Sequence, residues 1–202
     1  GSGWRGMEGG IDGAKQGHDV VMSPNWYAYI DYYQGPMDQE PLAIGGYLPL
    51  SKVYSFSPVP KELNAEEAKH ILGGQANLWT EYVPNFKHAE YMTFPRIAAL
   101  AEVVWSPKEV QSWDDFSRRI RMFMKRYDQL GINYSKSGYK VSAKTEFDPQ
   151  KKQLAVTLKG ELAGVEIHYS TDGSEPNASS PQYTEPVVLD HSATLKAVTI
   201  VD

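Results

Sequence analysis

Apolar and polar positions follow two different rhythms along this chain, and the change falls near residue 137. Before it, apolar residues come in short runs or at helical spacing. After it, they come in brief alternating stretches separated by turn residues. In the first part, residues 7–16 read as a short glycine-rich helix. Val20, Val21 and Met22, stopped by Pro24, make residues 19–23 a buried parallel strand. Residues 26–60 are aromatic, studded with Pro and Gly, and show no clear period; so long a stretch is usually functional or disordered, and its aromatics favour an ordered, functional one. Residues 64–70 read as a short helix, with Asn64 as cap and Glu66 and Glu67 in the first turn. Residues 71–78 read as a second strand.

Two helices close this part. Residues 95–104 are rich in Ala, Leu and Val, with Pro95 suited to the first helical position and Ser106-Pro107 ending the run. Residues 113–130 give the clearest helix: Trp113, Phe116, Ile120, Met124 and Tyr127 share a face, with Phe123 close by. Ser112 and Asp115 form a variant capping box, and Gly131 suits the position after the last turn. Arg118, Arg119, Arg121, Lys125 and Arg126 make the outer face, read as solvated rather than as a binding surface. Beyond it, residues 153–158 and 165–169 alternate, Asp172-Gly173 signals a turn, and residues 187–189 and 194–200 are further strands. The expected organisation is therefore an α/β region over residues 1–137 and a small all-β sandwich over residues 138–202. The run stops at Val201-Asp202 in mid-strand, so truncation is expected. The opening Gly1-Ser2-Gly3 reads as a cloning remnant or an internal cut.

Composition narrows the function classes. At 202 residues, 41% hydrophobic and 22% charged, the chain is globular rather than disordered. A net charge of -5 argues against a nucleic-acid partner. No apolar stretch reaches the length of a membrane span. With no cysteine there is no disulfide, thiolate metal site or cysteine nucleophile, and redox logic does not decide the compartment. The 13 Tyr and 5 Trp, many in polar loop-like sequence, suit carbohydrate contact, although core packing accounts for most aromatics in any protein.

Four clusters compete for chemistry. Trp4-Arg5-Gly6-Met7-Glu8-Gly9-Gly10 has glycines but not the spacing of a phosphate-binding loop, and reads as a tight strand-to-helix turn. Tyr29-Ile30-Asp31-Tyr32-Tyr33 aims a phenol and a carboxylate together if it is extended; an aromatic surface loop is the equal alternative. On a strand, with its side-chain period of two, Trp79 and Glu81 would point the same way, so Trp79-Thr80-Glu81 sets a flat aromatic face beside an acid, the pair a sugar pocket needs: the ring stacks on sugar C–H groups and the carboxylate accepts from hydroxyls. A buried Trp and a surface Glu at a strand end fit that run equally well. His18, His70, His88, His168 and His191 show no metal-ligand spacing, so no metal or cofactor is expected. The adjacent pairs Glu66-Glu67 and Asp114-Asp115 lie at helix starts, where capping and dipole roles explain them, and no Asp-Glu pair stands at a strand end.

Taken in order, Trp4-Arg5-Gly6, Gly17-His18-Asp19-Val20-Val21-Met22-Ser23-Pro24, Tyr29-Ile30-Asp31, Tyr54-Ser55-Phe56-Ser57-Pro58, Leu78-Trp79-Thr80-Glu81 and Phe94-Pro95-Arg96 resemble the C-terminal half of a family 20 glycoside hydrolase, a β-N-acetylhexosaminidase. The resemblance runs from residue 4 to about 135. Ile167-His168-Tyr169-Ser170-Thr171-Asp172-Gly173-Ser174-Glu175-Pro176, with Tyr183 and Pro186 after it, is similar to the fibronectin-type-III-like sandwich that follows the barrel in many bacterial members.

The resemblance implies the C-terminal part of a (β/α)8 TIM barrel, with its site at the C-terminal ends of the strands. Trp4 would end the sixth strand, Tyr29 and Asp31 would follow the seventh, and Trp79 and Glu81 the eighth. The family hydrolyses terminal N-acetylhexosamine residues with retention, the substrate's own acetamido oxygen acting as nucleophile. Tyr29 would then hold that oxygen as the catalytic residue of this chain. Trp4 and Trp79 would wall the pocket, and Asp31 and Glu81 would bind the outer hydroxyls. The partner implied is an N-acetylhexosamine-terminated glycan, and the location periplasmic or secreted. The family's Asp-Glu pair, the general acid and its neighbour, belongs to a strand this sequence lacks, so the chain alone is expected to be inactive. A cut barrel leaves open sheet edges, and self-association or rearrangement through them is expected. A non-catalytic carbohydrate-binding fragment is the alternative reading, and an interaction module built on the β domain a third.

Overall fold

The structure, a computed structural model, describes residues 2–3 and 6–201, the first two through their backbone alone. The chain divides into two compact units, Gly1–Ser135 and Lys136–Asp202.

The first unit is built on a parallel sheet of three short strands in the order β1 (Ser2–Gly3), β2 (Val20–Pro24) and β3 (Ile71–Gly74). Ser2 and Gly3 pair with Ser23 and Pro24. Parallel neighbours need long crossovers. The first contains α1 (Glu8–Lys15); the second contains α2 (Asn25–Ala28), α3 (Leu50–Tyr54) and α4 (Ala65–Ala68). Glycine lets α1 lie close on the sheet: a Cβ at Gly10 would meet the Met22 side chain at 2.3 Å, and one at Gly13 would meet Val20 at 3.2 Å. Val20, Met22, Ser23 and Pro24 are buried, as the apolar run suggested, and Val21 alone on this strand is exposed, at 40%. Asn64 caps α4 by accepting from the Glu66 and Glu67 amides while Glu67 accepts from the Asn64 amide.

Three helices follow β3: α5 (Phe86–Thr93), α6 (Arg96–Trp105) and α7 (Trp113–Leu130). The sequence reading missed α5, because its only buried residue is Met92 and it carries no apolar stripe; the Asn85 cap, which accepts from the His88 amide, was the available signal. Pro95 stands just before α6 rather than inside it. In α7, Phe116, Ile120, Met124 and Tyr127 are buried as the spacing predicts, while Phe123 is exposed under the Arg126 guanidinium. Arg119 lies on the exposed outer face as read, 44% exposed, but it is paired there. It donates to both Glu102 carboxylate oxygens at 2.8 Å and to Asp115 at 2.6 Å, and the Tyr54 hydroxyl also donates to Glu102 at 2.8 Å. No helix among the described residues is long and apolar enough to cross a membrane.

The named strands of the second unit pair antiparallel. Strand β4 (Val141–Asp148) pairs with β5 (Gln153–Gly160), which pairs with β7 (Val187–Leu189); β6 (Glu166–Ser170) pairs with β8 (Lys196–Ile200). Val156, Leu158, Ile167 and Val187 form a core shared by the two sheets. Gly173 sits at φ 81° in the predicted turn, with Asp172 accepting from the Ser174 amide. The strand β4 went unread, because both of its faces are largely exposed and burial imposes no contrast on its sequence.

Candidate active site

The pairing of β2 and β3 continues past both strands. Met22 accepts from the Gln75 amide, Ala28 from the Asn77 amide at 2.8 Å, and Asn77 from the Ile30 amide at 2.9 Å. The two segments that leave the C-terminal ends of these strands therefore run side by side. One carries Tyr29 and Asp31 and the other Trp79 and Glu81. Ligands of parallel sheets bind at this end of the strands.

Trp79 and Glu81 reach their common cleft by a route other than the one inferred. The strand β3 ends at Gly74, so a two-residue strand period does not orient them; both stand in non-strand structure beyond it. Tyr29 likewise follows the last turn of α2 and Asp31 lies in the turn after it, so their convergence comes from the bridge to Asn77 and not from an extended run.

Tyr29, Asp31, Tyr32, Ile44, Gly45, Gly46, Trp79 and Glu81 line a cleft of about 410 Å³, within the ~300–1,000 Å³ range usual for small-molecule sites. The Tyr29 ring meets Trp79 edge-on at 6.2 Å and Tyr32 edge-on at 5.9 Å. Tyr29 and Asp31 are buried, while Trp79 is half exposed, leaving aromatic surface open to a ligand. The third wall, residues 44–46, belongs to a long loop closed at its base, where Tyr33 accepts from the Leu48 amide at 2.7 Å. Sequence reasoning missed this wall and, although it named Tyr32 in its cluster, gave it no role. The Gly45-Gly46 pair was the signal: Gly46 has φ +65°, and a Cβ there would lie 2.3 Å from the Tyr32 ring. Trp4 lies outside the described residues.

Asp31 is the electrostatic centre of the cleft. Its Oδ1 is buried without a hydrogen-bond partner. Burial pushes its pKa up from 3.8 to about 6, against the lowering effects of its own backbone hydrogen bond and of the Arg96 charge, with the Glu81 charge adding a smaller upward push. An unpaired buried carboxylate oxygen is costly unless something arrives to donate to it. A sugar hydroxyl is such a donor.

Among the described residues no group of three or more His, Asp or Glu side chains is placed to hold a metal ion. The histidines are scattered: His70 pairs with Asp19, His191 with Asp190, and His168 is buried against the Ser180 carbonyl. Asp115 is engaged with Arg119, and Glu66 and Glu67 with the cap of α4. A slightly larger hollow of about 450 Å³ lies in the second unit, beside Lys159, Glu166 and Tyr183. It has neither an exposed tryptophan nor an unpaired acid, so composition rather than size singles out the first cleft.

Residues 2–108 match the model of the glycosyl hydrolase family 20 catalytic domain, and residues 149–202 that of the chitobiase/beta-hexosaminidase C-terminal domain. The chain is 37% identical to a beta-hexosaminidase of Porphyromonas gingivalis over 98% of this chain and 26% of that protein. It is 30% identical to a beta-N-acetylhexosaminidase of Cellulomonas fimi over 63% of this chain and 25% of that protein. An exo beta-N-acetylglucosaminidase of Vibrio harveyi, solved with N-acetylglucosamine, superposes with a TM-score of 0.59 at 34% identity, over 67% of this chain and 22% of the other. The chain thus spans about a quarter of the length of the curated relatives it matches. The matched catalytic stretch takes in more than half of the sequence and all four described cleft residues foreseen from it, Tyr29, Asp31, Trp79 and Glu81, and the chain belongs to glycosyl hydrolase family 20.

Proposed function

We propose that this chain is the C-terminal part of the (β/α)8 catalytic barrel of an exo-acting β-N-acetylhexosaminidase, followed by a β-sandwich domain. The observation that carries the proposal is the meeting of Tyr29, Asp31, Trp79 and Glu81 in one cleft at the C-terminal ends of two parallel strands. In the complete enzyme the substrate is a glycan ending in an N-acetylhexosamine, cleaved with retention by its own acetamido oxygen. Tyr29 donates its phenol to that oxygen and fixes it for attack, a positioning and electrostatic role. Trp79 supplies a wall against the sugar and acetamido group, with Trp4 completing it. Asp31 and Glu81 accept from the outer hydroxyls. A sugar lacking the right hydroxyl leaves a buried carboxylate unpaired, which discriminates strongly.

The Asp-Glu acid pair of the reaction is supplied by strands outside this sequence. A general acid contributes roughly 10²–10⁴-fold, so the chain alone binds sugar weakly and turns nothing over. Exposed strand residues such as Val21 and Leu72, 40% and 66% exposed, support self-association of the isolated chain; sedimentation showing a clean monomer at high concentration would count against it. A periplasmic or secreted location completes the proposal and is checked by fractionating cells that make the full-length protein.

The deciding experiment is hydrolysis of a chromogenic N-acetyl-β-glucosaminide by this chain and by the full-length protein, side by side. Turnover by the full-length protein alone is expected. Turnover by this chain would put the acid among its own residues, with Asp31 the first candidate because burial raises its pKa to about 6. Binding of N-acetylglucosamine with no turnover by either protein would favour a non-catalytic carbohydrate-binding role.

A further inference from the structure

We infer that Arg96 is a positioning residue for the cleft, its guanidinium locking the 30–33 segment and the return of the 44–48 loop so that Tyr29 and Asp31 face the ligand. The inference deepens the sugar-site reading and rests on it.

Arg96 is the first residue of α6 and is fully buried. Its Nη1 donates to the Tyr32 carbonyl at 2.9 Å and to the Leu48 carbonyl at 3.0 Å. Its Nη2 donates to the carbonyls of Ile30 and Met92, and its Nε to Met92 at 3.2 Å. Ile30 and Tyr32 are the two neighbours of Asp31, and Ile30 also follows Tyr29 directly. Leu48 is where the loop bearing Ile44, Gly45 and Gly46 rejoins the body of the unit. One side chain thus grips two of the three segments that line the cleft, and grips them by the backbone, leaving the Asp31 Oδ1 between two of the grips without a hydrogen-bond partner.

Scaffold reasons alone do not put an arginine here. A cation at the start of a helix opposes the helix dipole, and burying a guanidinium costs far more than burying an aliphatic side chain of similar volume. Both costs are offset only by a task that needs several donors in a fixed plane. A lysine has one nitrogen and cannot span the three segments that the fork reaches. The charge acts as well as the fork: Arg96 and Glu81 are the charged groups that act on the Asp31 carboxyl, Arg96 favouring its ionised form and Glu81 opposing it.

The test compares the native chain with Arg96→Lys and Arg96→Gln by amide hydrogen exchange, by carboxyl NMR of Asp31 and by titration with N-acetylglucosamine. The Ile30, Tyr32 and Leu48 amides are hydrogen-bonded in the native chain and report the lock directly. In Arg96→Lys their exchange should quicken at least tenfold, on the order expected for losing a local constraint, while the amides of α7 stay as they are. In Arg96→Gln, Asp31 should titrate higher than in the native chain, because a positive charge has gone. Sugar affinity should fall about tenfold in both variants, on the order expected when a buried clamp is lost. Equal quickening in α7 and in the loops would reduce Arg96 to a general stabiliser and overturn the proposal, as would unchanged exchange at all of them. If the variants do not fold, the guanidinium protons of the unaltered chain decide: a positioning clamp protects them from solvent exchange, and exchange as fast as that of a surface arginine refutes it. Absence of sugar binding by the native chain would remove the sugar reading while the exchange comparison still judges the lock.

Discussion

Two acidic side chains of the first unit show opposite ways of treating a carboxylate. Glu102 is saturated: Arg119 forks onto both of its oxygens, Tyr54 donates to one of them, and the Ser112 amide donates in turn to the Tyr54 hydroxyl. Its pKa is held down, chiefly by the Arg119 hydrogen bonds, and the Tyr54 phenol is pushed up to about 12, burial being the first cause and the Glu102 hydrogen bond the second. Asp31 is more deeply buried, yet one of its oxygens has no partner. The first arrangement ties α3, α6 and α7 together and leaves nothing for a ligand to do. The second leaves a debt in the fold that a ligand can settle. Partner saturation, more than charge or burial, separates the scaffold acid from the site acid.

The largest effect expected lies in the cleft. In the full-length protein, Tyr29→Phe should lower kcat on the chromogenic substrate about 100-fold with little change in KM, the size seen when one donor to a developing charge is lost; an unchanged kcat would remove Tyr29 from the reaction. Next comes the saturated acid. Glu102→Ala should destabilise this chain by about 1–2 kcal/mol in denaturant titration, discounted for the partly exposed Arg119, and should leave N-acetylglucosamine binding unchanged. A matching loss of sugar affinity would erase the distinction between the two acids.

Asp31→Asn should do the reverse. It removes a buried charge that has one oxygen without a hydrogen-bond partner, so stability at pH 7 should rise by about 1 kcal/mol while sugar affinity falls. A destabilised variant would mean that Asp31 belongs to the scaffold. The smallest effect is in pH. The Asp31 pKa is raised, so its contribution to stability is fully present below the unfolded value near 3.8 and is lost as pH rises through about 6. Glu102 runs the other way, its contribution being present above the ordinary carboxylate range and lost as pH falls through its lowered folded value. Between pH 7 and 4.5 the native chain should therefore gain stability that Asp31→Asn does not gain, as read by thermal melts of both across that interval.

Where the sequence was legible, the reason is local. The helix α7 announces itself through a buried stripe and a serine cap, and α4 through the Asn64 cap. The cleft was legible in its parts, since Tyr29, Asp31, Trp79 and Glu81 stood out by chemistry, and the ordered motifs tied them to one family. The means of assembly was not legible. Period-two reasoning supplied a strand for Trp79 and Glu81, whereas a long-range bridge between Tyr29 and Asn77 brings the pairs together, and no local pattern encodes it. Arg96 stood in the sequence only as part of the Phe94-Pro95-Arg96 motif, and its task was not legible because its partners are carbonyls up to 66 positions away. The strand β4 left no mark because neither of its faces is buried.

Gly46 carries a consequence for altering this site. Its left-handed backbone and its contact with the flat of Tyr32 leave no room for any other residue, so a library randomised there would return mostly misfolded clones. Ile44, two positions earlier on the same wall, is 48% exposed and open to exchange. Anyone retuning which sugars the cleft admits has a rigid stop at one position and a dial at the other.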